Sequence, residues 1–335
     1  MNKAELLSTI EEFRNEISGN SVNCRLIDPW FISRTDKHAP PMYKKLTIGY
    51  EVNSDDEYLL IIKTYSKNRK TNRLAKEIIC RVGEGRVERM YVGKSRPKLL
   101  IGHIRPFNKK NLPVSLGSSV SNGSLGYGTI GGFVKTNEGK KALLTCGHVL
   151  YDKSYKQVYS PAFTKKNILQ RNKRYVGDID AYHYPKMDIK NLIDASTAVL
   201  LDHVPTTLNK IQSECQFKGK QVQPISHDVE IGTGELAYKI GAKLPFKVGS
   251  FAGKHYDVKI NGFLFDELYA INDKIGIFAK PGDSGSLAFI EQNGSLFGLG
   301  IVVGEAIISG GRSSVKQTYI CPLSKILDIL DVSFV

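Results

Sequence analysis

The sequence predicts a mainly β protein in which a barrel or sandwich of short strands follows a small α+β domain. Three observations carry that expectation. From residue 129 onward, short apolar runs alternate with turns rich in Gly, Asn, Asp and Lys. The clearest helical periodicity lies far upstream, at residues 3–17, ahead of two strand-like segments. Between these regions, residues 106–128 hold Pro106, Pro113 and a Ser/Gly-dominated stretch from Ser115 to Gly128. The expected division is therefore an α+β domain at 1–105, a linker at 106–128 and a β domain at 129–335.

Within the first domain, Leu6, Leu7, Ile10, Phe13 and Ile17 recur at three- and four-residue steps with acids between them. That spacing makes one apolar helix face, and Ser18-Gly19-Asn20 stops it. Pro40-Pro41 marks a loop. Residues 58–65 (YLLIIKTY) and 87–92 read as strands, whereas 74–80 is ambiguous. In the second domain, residues 129–134, 141–145, 197–201, 287–290 and 296–303 read as strands, at the spacing of an all-β barrel or sandwich.

Composition narrows the class further. Of 335 residues, 41% are hydrophobic and 24% charged, which excludes a disordered, collagen-like or coiled-coil chain. No apolar run approaches the ~18 residues of a membrane-spanning helix. The N-terminus (MNKAELLSTIEEF) carries acids where a secretory signal has its apolar stretch, so the expected location is the cytoplasm. The five cysteines (Cys24, Cys80, Cys146, Cys215, Cys321) form no CxxC pair, which fits reduced thiols rather than disulfides or zinc. The net charge of +14 is uneven. Residues 63–110 hold 15 Lys+Arg against 3 Asp+Glu, while the rest of the chain is close to neutral. Such a segment is a solvated face or a dock for nucleic acid, an anionic membrane or an acidic protein.

Gly126-Tyr127-Gly128-Thr129-Ile130-Gly131 matches the G-x-G-x-x-G pattern of dinucleotide loops. A dinucleotide site needs a strand before the pattern and a helix after it. Here a Ser/Gly linker precedes it and a strand-like run follows. The glycines are read instead as points of close strand approach, and no cofactor is expected.

Three other segments carry chemistry. In Leu143-Leu144-Thr145-Cys146-Gly147-His148-Val149, a histidine follows an apolar run and a small-residue turn. In Ile193-Asp194-Ala195-Ser196-Thr197-Ala198-Val199, an acid heads an apolar run. In Lys280-Pro281-Gly282-Asp283-Ser284-Gly285-Ser286-Leu287, a serine sits in a glycine loop. A serine hydroxyl is a poor nucleophile at neutral pH and needs a base, and the base needs a third group to fix its tautomer. His148 can be the base, Asp194 the orienting acid and Ser284 the nucleophile. The amides of Gly282 and Ser284 can converge as an oxyanion hole, usually the largest catalytic contribution. Asp178, Asp180 and Asp188 are other acids near Asp194, but they precede less apolar runs. The remaining histidines lack motif context, and no metal-ligand cluster stands out.

TCGHV resembles the TAGHV-type histidine motif of chymotrypsin-fold serine proteases, GDSGS their nucleophile loop, and IDASTAVLL the segment that carries their triad aspartate. The order His, Asp, Ser is theirs, and so are the gaps of 46 and 90 residues. The chain resembles bacterial and plant trypsin-like peptidases with an extra N-terminal domain, well over about residues 122–332 and weakly over 55–105.

This resemblance implies a double β-barrel and a serine endopeptidase whose substrate is a protein or peptide, gated by the N-terminal domain or an activating partner. By position, Phe278 should form the base of the substrate pocket, with walls from Val303 and near Thr318. No acid stands at that base, which implies an apolar or shallow pocket. In secreted relatives the acid beside the serine pairs with a newly released N-terminus. No cleavage motif precedes Gly131-Gly132-Phe133, so Asp283 needs another partner. Cys146 stands where relatives often have Ala and reads as a small buried residue. The competing expectation is a non-enzymatic protease-fold scaffold whose 63–110 segment docks nucleic acid or an acidic partner.

Overall fold

The structure, a computed structural model, describes residue 8, the strand and helix positions between 46 and 99, and residues 113–123, 126–151, 156–160, 174–225, 230–273, 277–310 and 313–335. Ser8 is helical, and the rest of the helix expected at 3–17 lies outside the described residues.

Ahead of the linker come β1 (Leu46–Val52), β2 (Tyr58–Thr64), β3 (Val87–Tyr91) and β4 (Lys98–Leu99). Residues 72, 75, 76, 78, 79 and 82 are helical, which settles four positions of the ambiguous 74–80 segment, and Ala75 and Ile78 among them are buried. The linker region supplies β5 (Ser119–Val120) and β6 (Gly128–Thr129), which pair with each other.

A first β-body follows. Its elements are β7 (Gly132–Thr136), β8 (Lys141–Thr145), the single helical turn α1 (Gly147–Leu150), β9 (Gln157–Tyr159), β10 (Tyr175–His183), β11 (Lys190–Asn191) and β12 (Ala195–Leu200). The second body holds β13 (Val222–Pro224), β14 (Leu236–Ile240), β15 (Phe246–Ile260), β16 (Phe263–Asp273), β17 (Leu287–Gln292), β18 (Ser295–Gly310) and β19 (Ser313–Pro322). The chain ends in α2 (Leu323–Leu330) and β20 (Val332–Phe334).

Six strands form the first sheet, in the order β20-β7-β8-β12-β10-β9. β8 and β12 are buried at nearly every position, which suits strands with apolar side chains on both faces. The second sheet runs β11-β16-β19-β18-β17-β14-β15-β1-β2-β3. Alternation assigns its faces. Along β17, Leu287 and Phe289 enter the larger core, and Ala288 and Ile290 the smaller one. Two strand-built bodies in sequence order match the double β-barrel expected from the sequence. The strands upstream of the linker extend the second body, because β1 lies antiparallel on β15 with Ile48 opposite Tyr256.

Two connections tie the bodies together. β11 pairs in parallel with β16. After α2, Asp331 adopts a left-handed conformation (φ 51°) that turns the chain back. β20 then returns to β7, with Val332 opposite Thr136 and Phe334 opposite Val134.

Candidate active site

The His148–Asp194 pair follows from strand register. β8 and β12 are antiparallel, with Ser196 opposite Thr145. Carried two residues further, that ladder sets Asp194 beside the turn that begins α1. One carboxylate oxygen, Oδ1, accepts the His148 backbone N–H at 3.0 Å, and Oδ2 bonds His148 Nδ1. Both side chains are fully buried. The ring is thus held at one nitrogen, and Nε2 is buried with no hydrogen-bond partner among the described residues. Of the other acids nearby, Asp178 accepts from the Tyr175 hydroxyl, Asp180 accepts from Thr197 Oγ1 at 3.5 Å, and Asp188 sits in a turn at φ 66°.

Ser284 lies in a tight loop between Lys280 and β17. Asp283 N–H donates to Lys280 O at 2.8 Å, and Ser286 N–H donates to Asp283 O at 2.9 Å. In a planar trans peptide the C=O and N–H point in opposite directions. Pinning Asp283 O inward therefore aims the Ser284 N–H away from the loop interior. Gly282 (φ 107°) and Gly285 (φ 87°) take left-handed conformations that side-chain-bearing residues rarely adopt. A β-carbon at Gly285 would collide with Thr145 Oγ1 and the Thr129 carbonyl. Only glycine therefore lets this loop reach the end of β8, three residues before His148.

Asp283 has the partner its position demands, and it is internal. Lys239 Nζ on β14 lies 3.2 Å from Asp283 Oδ2, both groups fully buried. Three backbone amides complete the site: Lys243 and Leu244 donate to Oδ1 at 2.9 and 3.1 Å, and Lys280 donates to Oδ2 at 3.0 Å. Burial holds the Lys239 ammonium below the ordinary lysine value, although the Asp283 charge opposes this. Lys239 also donates to Leu244 O at 3.0 Å.

Thr129 grips the same loop from its other side. Its N–H donates to Ser284 O at 2.8 Å, its Oγ1 donates to Gly282 O at 2.8 Å, and that Oγ1 accepts the Ala242 N–H at 3.0 Å. The neighbouring glycines make the close approach read from the sequence, and they make it to this loop. A β-carbon at Gly128 would strike Val149 and the Ser284 carbonyl, and one at Gly131 the Gly285 carbonyl. Tyr127 covers Gly282, its hydroxyl 2.7 Å from where a β-carbon would sit.

Neither Lys239 nor Thr129 was singled out from sequence. For Lys239 a signal existed: a lysine inside the otherwise apolar stretch Leu236–Ile240, next to Gly241. Thr129 gave none, because its role depends on two carbonyls more than 150 residues away.

The pocket candidates fall in different places. Phe278 is fully buried in the smaller core with Val302, and its N–H donates to Asp273 Oδ1 at 3.0 Å. Val303 belongs to the larger core. Thr318 lies opposite Glu305 in the β18–β19 ladder, its hydroxyl oxygen buried and without a hydrogen-bond partner among the described residues.

Among the described residues, ligand atoms of Cys146, His148 and Asp194 come within 4.8 Å of one another. They do not make a ready metal site, because each is already committed. Cys146 Sγ donates to Val302 O at 3.1 Å, and burial pushes its thiol well above the ordinary value. His148 Nδ1 and Asp194 already bond each other. No helix among the described residues is long and apolar enough to cross a membrane.

No protein-family profile and no curated protein matches the sequence. Among solved structures the chain is similar to a Nocardiopsis protease, at 15% identity over 66% of this chain and 98% of that one, with a TM-score of 0.47. It is also similar to Thermobifida fusca protease A, at 16% identity over 66% and 98%, TM-score 0.46. A third is the chymotrypsin of Cellulomonas bogoriensis, at 15% identity over 67% and 99%, TM-score 0.45.

Proposed function

We propose that the protein is a cytosolic serine endopeptidase in which Ser284, His148 and Asp194 act as a triad. One observation carries the reading. A buried imidazole is clamped at Nδ1 by a buried carboxylate and left without a partner at Nε2. Beside it, the positive-φ glycine loop holds a buried serine against the same segment of β8. A base oriented at one nitrogen and open at the other is what serine activation needs.

In this mechanism Ser284 Oγ attacks the scissile carbonyl while His148 Nε2 takes its proton. Asp194 keeps the ring in the tautomer with its proton on Nδ1 and stabilises the imidazolium, without itself becoming protonated. The tetrahedral oxyanion rests on the amides of Gly282 and Ser284. His148 then returns the proton to the leaving amine, and water releases the acyl-enzyme. The Ser284 hydroxyl need not bond Nε2 before substrate binds, because catalytic hydrogen bonds often tighten only in the complex.

The substrate is a protein or peptide. Five cysteines without a CxxC pair fit a reducing compartment. An unrestrained peptidase there would damage its host, so the N-terminal region or a partner restrains it.

The test is labelling by a fluorophosphonate, which reacts covalently with an activated serine. The wild type is expected to be labelled and Ser284→Ala not. Equal labelling of both proteins, or none in the wild type, would overturn the assignment.

A further inference from the structure

β18 has two edges, and register fixes what lies along each. β19 occupies one edge without interruption, from Gly300 opposite Pro322 to Gly310 opposite Ser313, through a single irregularity between Val302 and Gly304. Every other neighbour of this stretch must therefore share the second edge. β17 comes first, ending with Leu287 opposite Ile301. The serine loop comes next: Gly285 N–H donates to Val302 O at 2.8 Å, and Val302 N–H donates to Ser286 O at 2.9 Å. The following two rungs are filled by β4, with Leu99 opposite Gly304 and Lys98 opposite Glu305. Tyr91 of β3 lies opposite Ser309 beyond it.

An extended peptide that brings a carbonyl to Ser284 lies against the sheet edge adjoining the serine loop. There it gains affinity by adding as a strand. The rungs next to the loop on that edge are those of Gly304 and Glu305, and this chain fills them itself. The polarity also fits. β4 is antiparallel to β18, and its order, Lys98 at Glu305 and then Leu99 at Gly304, runs toward the serine loop.

We propose that Lys98–Leu99 is an internal competitor for the substrate's strand position. Resting on the peptidase reading above, it supplies the restraint that reading calls for. Tethering strengthens this competition. A segment joined to its site acts at an effective concentration of roughly millimolar, and the β3 contact at Ser309 holds it close. A two-residue strand is nonetheless short enough to be displaced, so the block is reversible and needs no cleavage.

Two probes of different reach test this on the full-length chain. A small alkyl fluorophosphonate needs only Ser284, whereas a tetrapeptidyl phosphonate with an apolar terminal residue also needs the β18 edge. Lys98→Pro and Leu99→Pro each remove a strand N–H and disfavour pairing. If β4 fills the edge about nine-tenths of the time, either variant that frees it raises the peptidyl-probe rate constant ~10-fold, with the small-probe rate within ~2-fold of wild type. Should proline disturb folding, Leu99→Gly keeps the backbone N–H but weakens the strand. It is expected to raise the peptidyl-probe rate constant at a constant small-probe rate. Unchanged peptidyl-probe rates in all three variants would overturn the competitor while leaving the peptidase standing. No small-probe labelling of any form would overturn both.

Discussion

Lys239→Met isolates the ion pair behind the serine loop. The substitution keeps an unbranched chain of similar length and removes the charge that faces Asp283. Removing one partner of a buried pair costs about 3–5 kcal/mol, because the remaining charge is left uncompensated. Asp283 keeps three backbone N–H donors, so the lower end, about 3 kcal/mol, is expected for unfolding in denaturant. The catalytic effect should be separable. In the proposed mechanism the carboxylate anchors the turn whose amides hold the oxyanion, and loss of one such donor costs ~10²–10³ in kcat. The assay pairs equilibrium unfolding with turnover of a peptide substrate. Lys239→Met/Asp283→Asn supplies the control: with the unpaired charge gone, part of the lost stability returns. A single variant that unfolds ~3 kcal/mol more easily yet turns over substrate at the wild-type kcat would refute the loop-positioning argument. A double variant no more stable than the single one would refute the account of the charge.

Three further outcomes follow from the same geometry. Thr129→Val deletes the donor to Gly282 O and the acceptor of Ala242 N–H; at ~1–1.5 kcal/mol for such a bond, kcat falls ~10-fold at nearly constant KM, and Thr129→Ser restores it. Asp194→Asn is expected to lower kcat ~10⁴-fold while the fold survives in circular dichroism, because the amide favours the wrong imidazole tautomer. Raising pH deprotonates Lys239 below the ordinary lysine value, since burial depresses it. The neutral amine no longer balances Asp283, so the pH–kcat profile should fall on its alkaline side before pH 10.5, and Lys239→Met should lack that limb.

Much of the site was legible because its chemistry sits in short local patterns. TCGHV, an acid heading an apolar strand, and GDSGS each mark a strand end or a turn, and strand ends are where register brings distant segments together. The 141–145 and 287–290 runs fell on β8 and β17 for a similar reason: apolar runs bounded by Gly, Asn and Lys leave little choice of boundary. β18 extended well past its predicted end at Val303, to Gly310. Its later rungs are set by the partners β19, β3 and β4, which no local pattern encodes. Lys239 and Thr129 escaped for the same physical reason. Their value lies in what they touch across the fold, and a lone lysine or threonine in a strand carries no chemical signature of its own.

The Lys239–Asp283 pair also bears on how such a peptidase would be controlled. A loop ordered by a newly cut chain end has two states, before and after the cut. Here the cation is part of β14, so the loop is held in the intact chain, and Gly285 and Ser286 already bond β18. Order of the catalytic loop is then not the quantity that varies, which leaves access to the edge as the adjustable step. The two kinds of control leave different kinetic traces. A defect in loop order slows small and extended probes alike, because both need the oxyanion amides. A defect in access slows only the extended one, because the small probe makes no use of Gly304 and Glu305. Lys239→Met should accordingly slow both probes, whereas Leu99→Pro should speed the extended one alone. Their effects on the extended probe should combine additively, since β4 lies at Gly304 and Glu305 whereas the ion pair joins β14 to the serine loop.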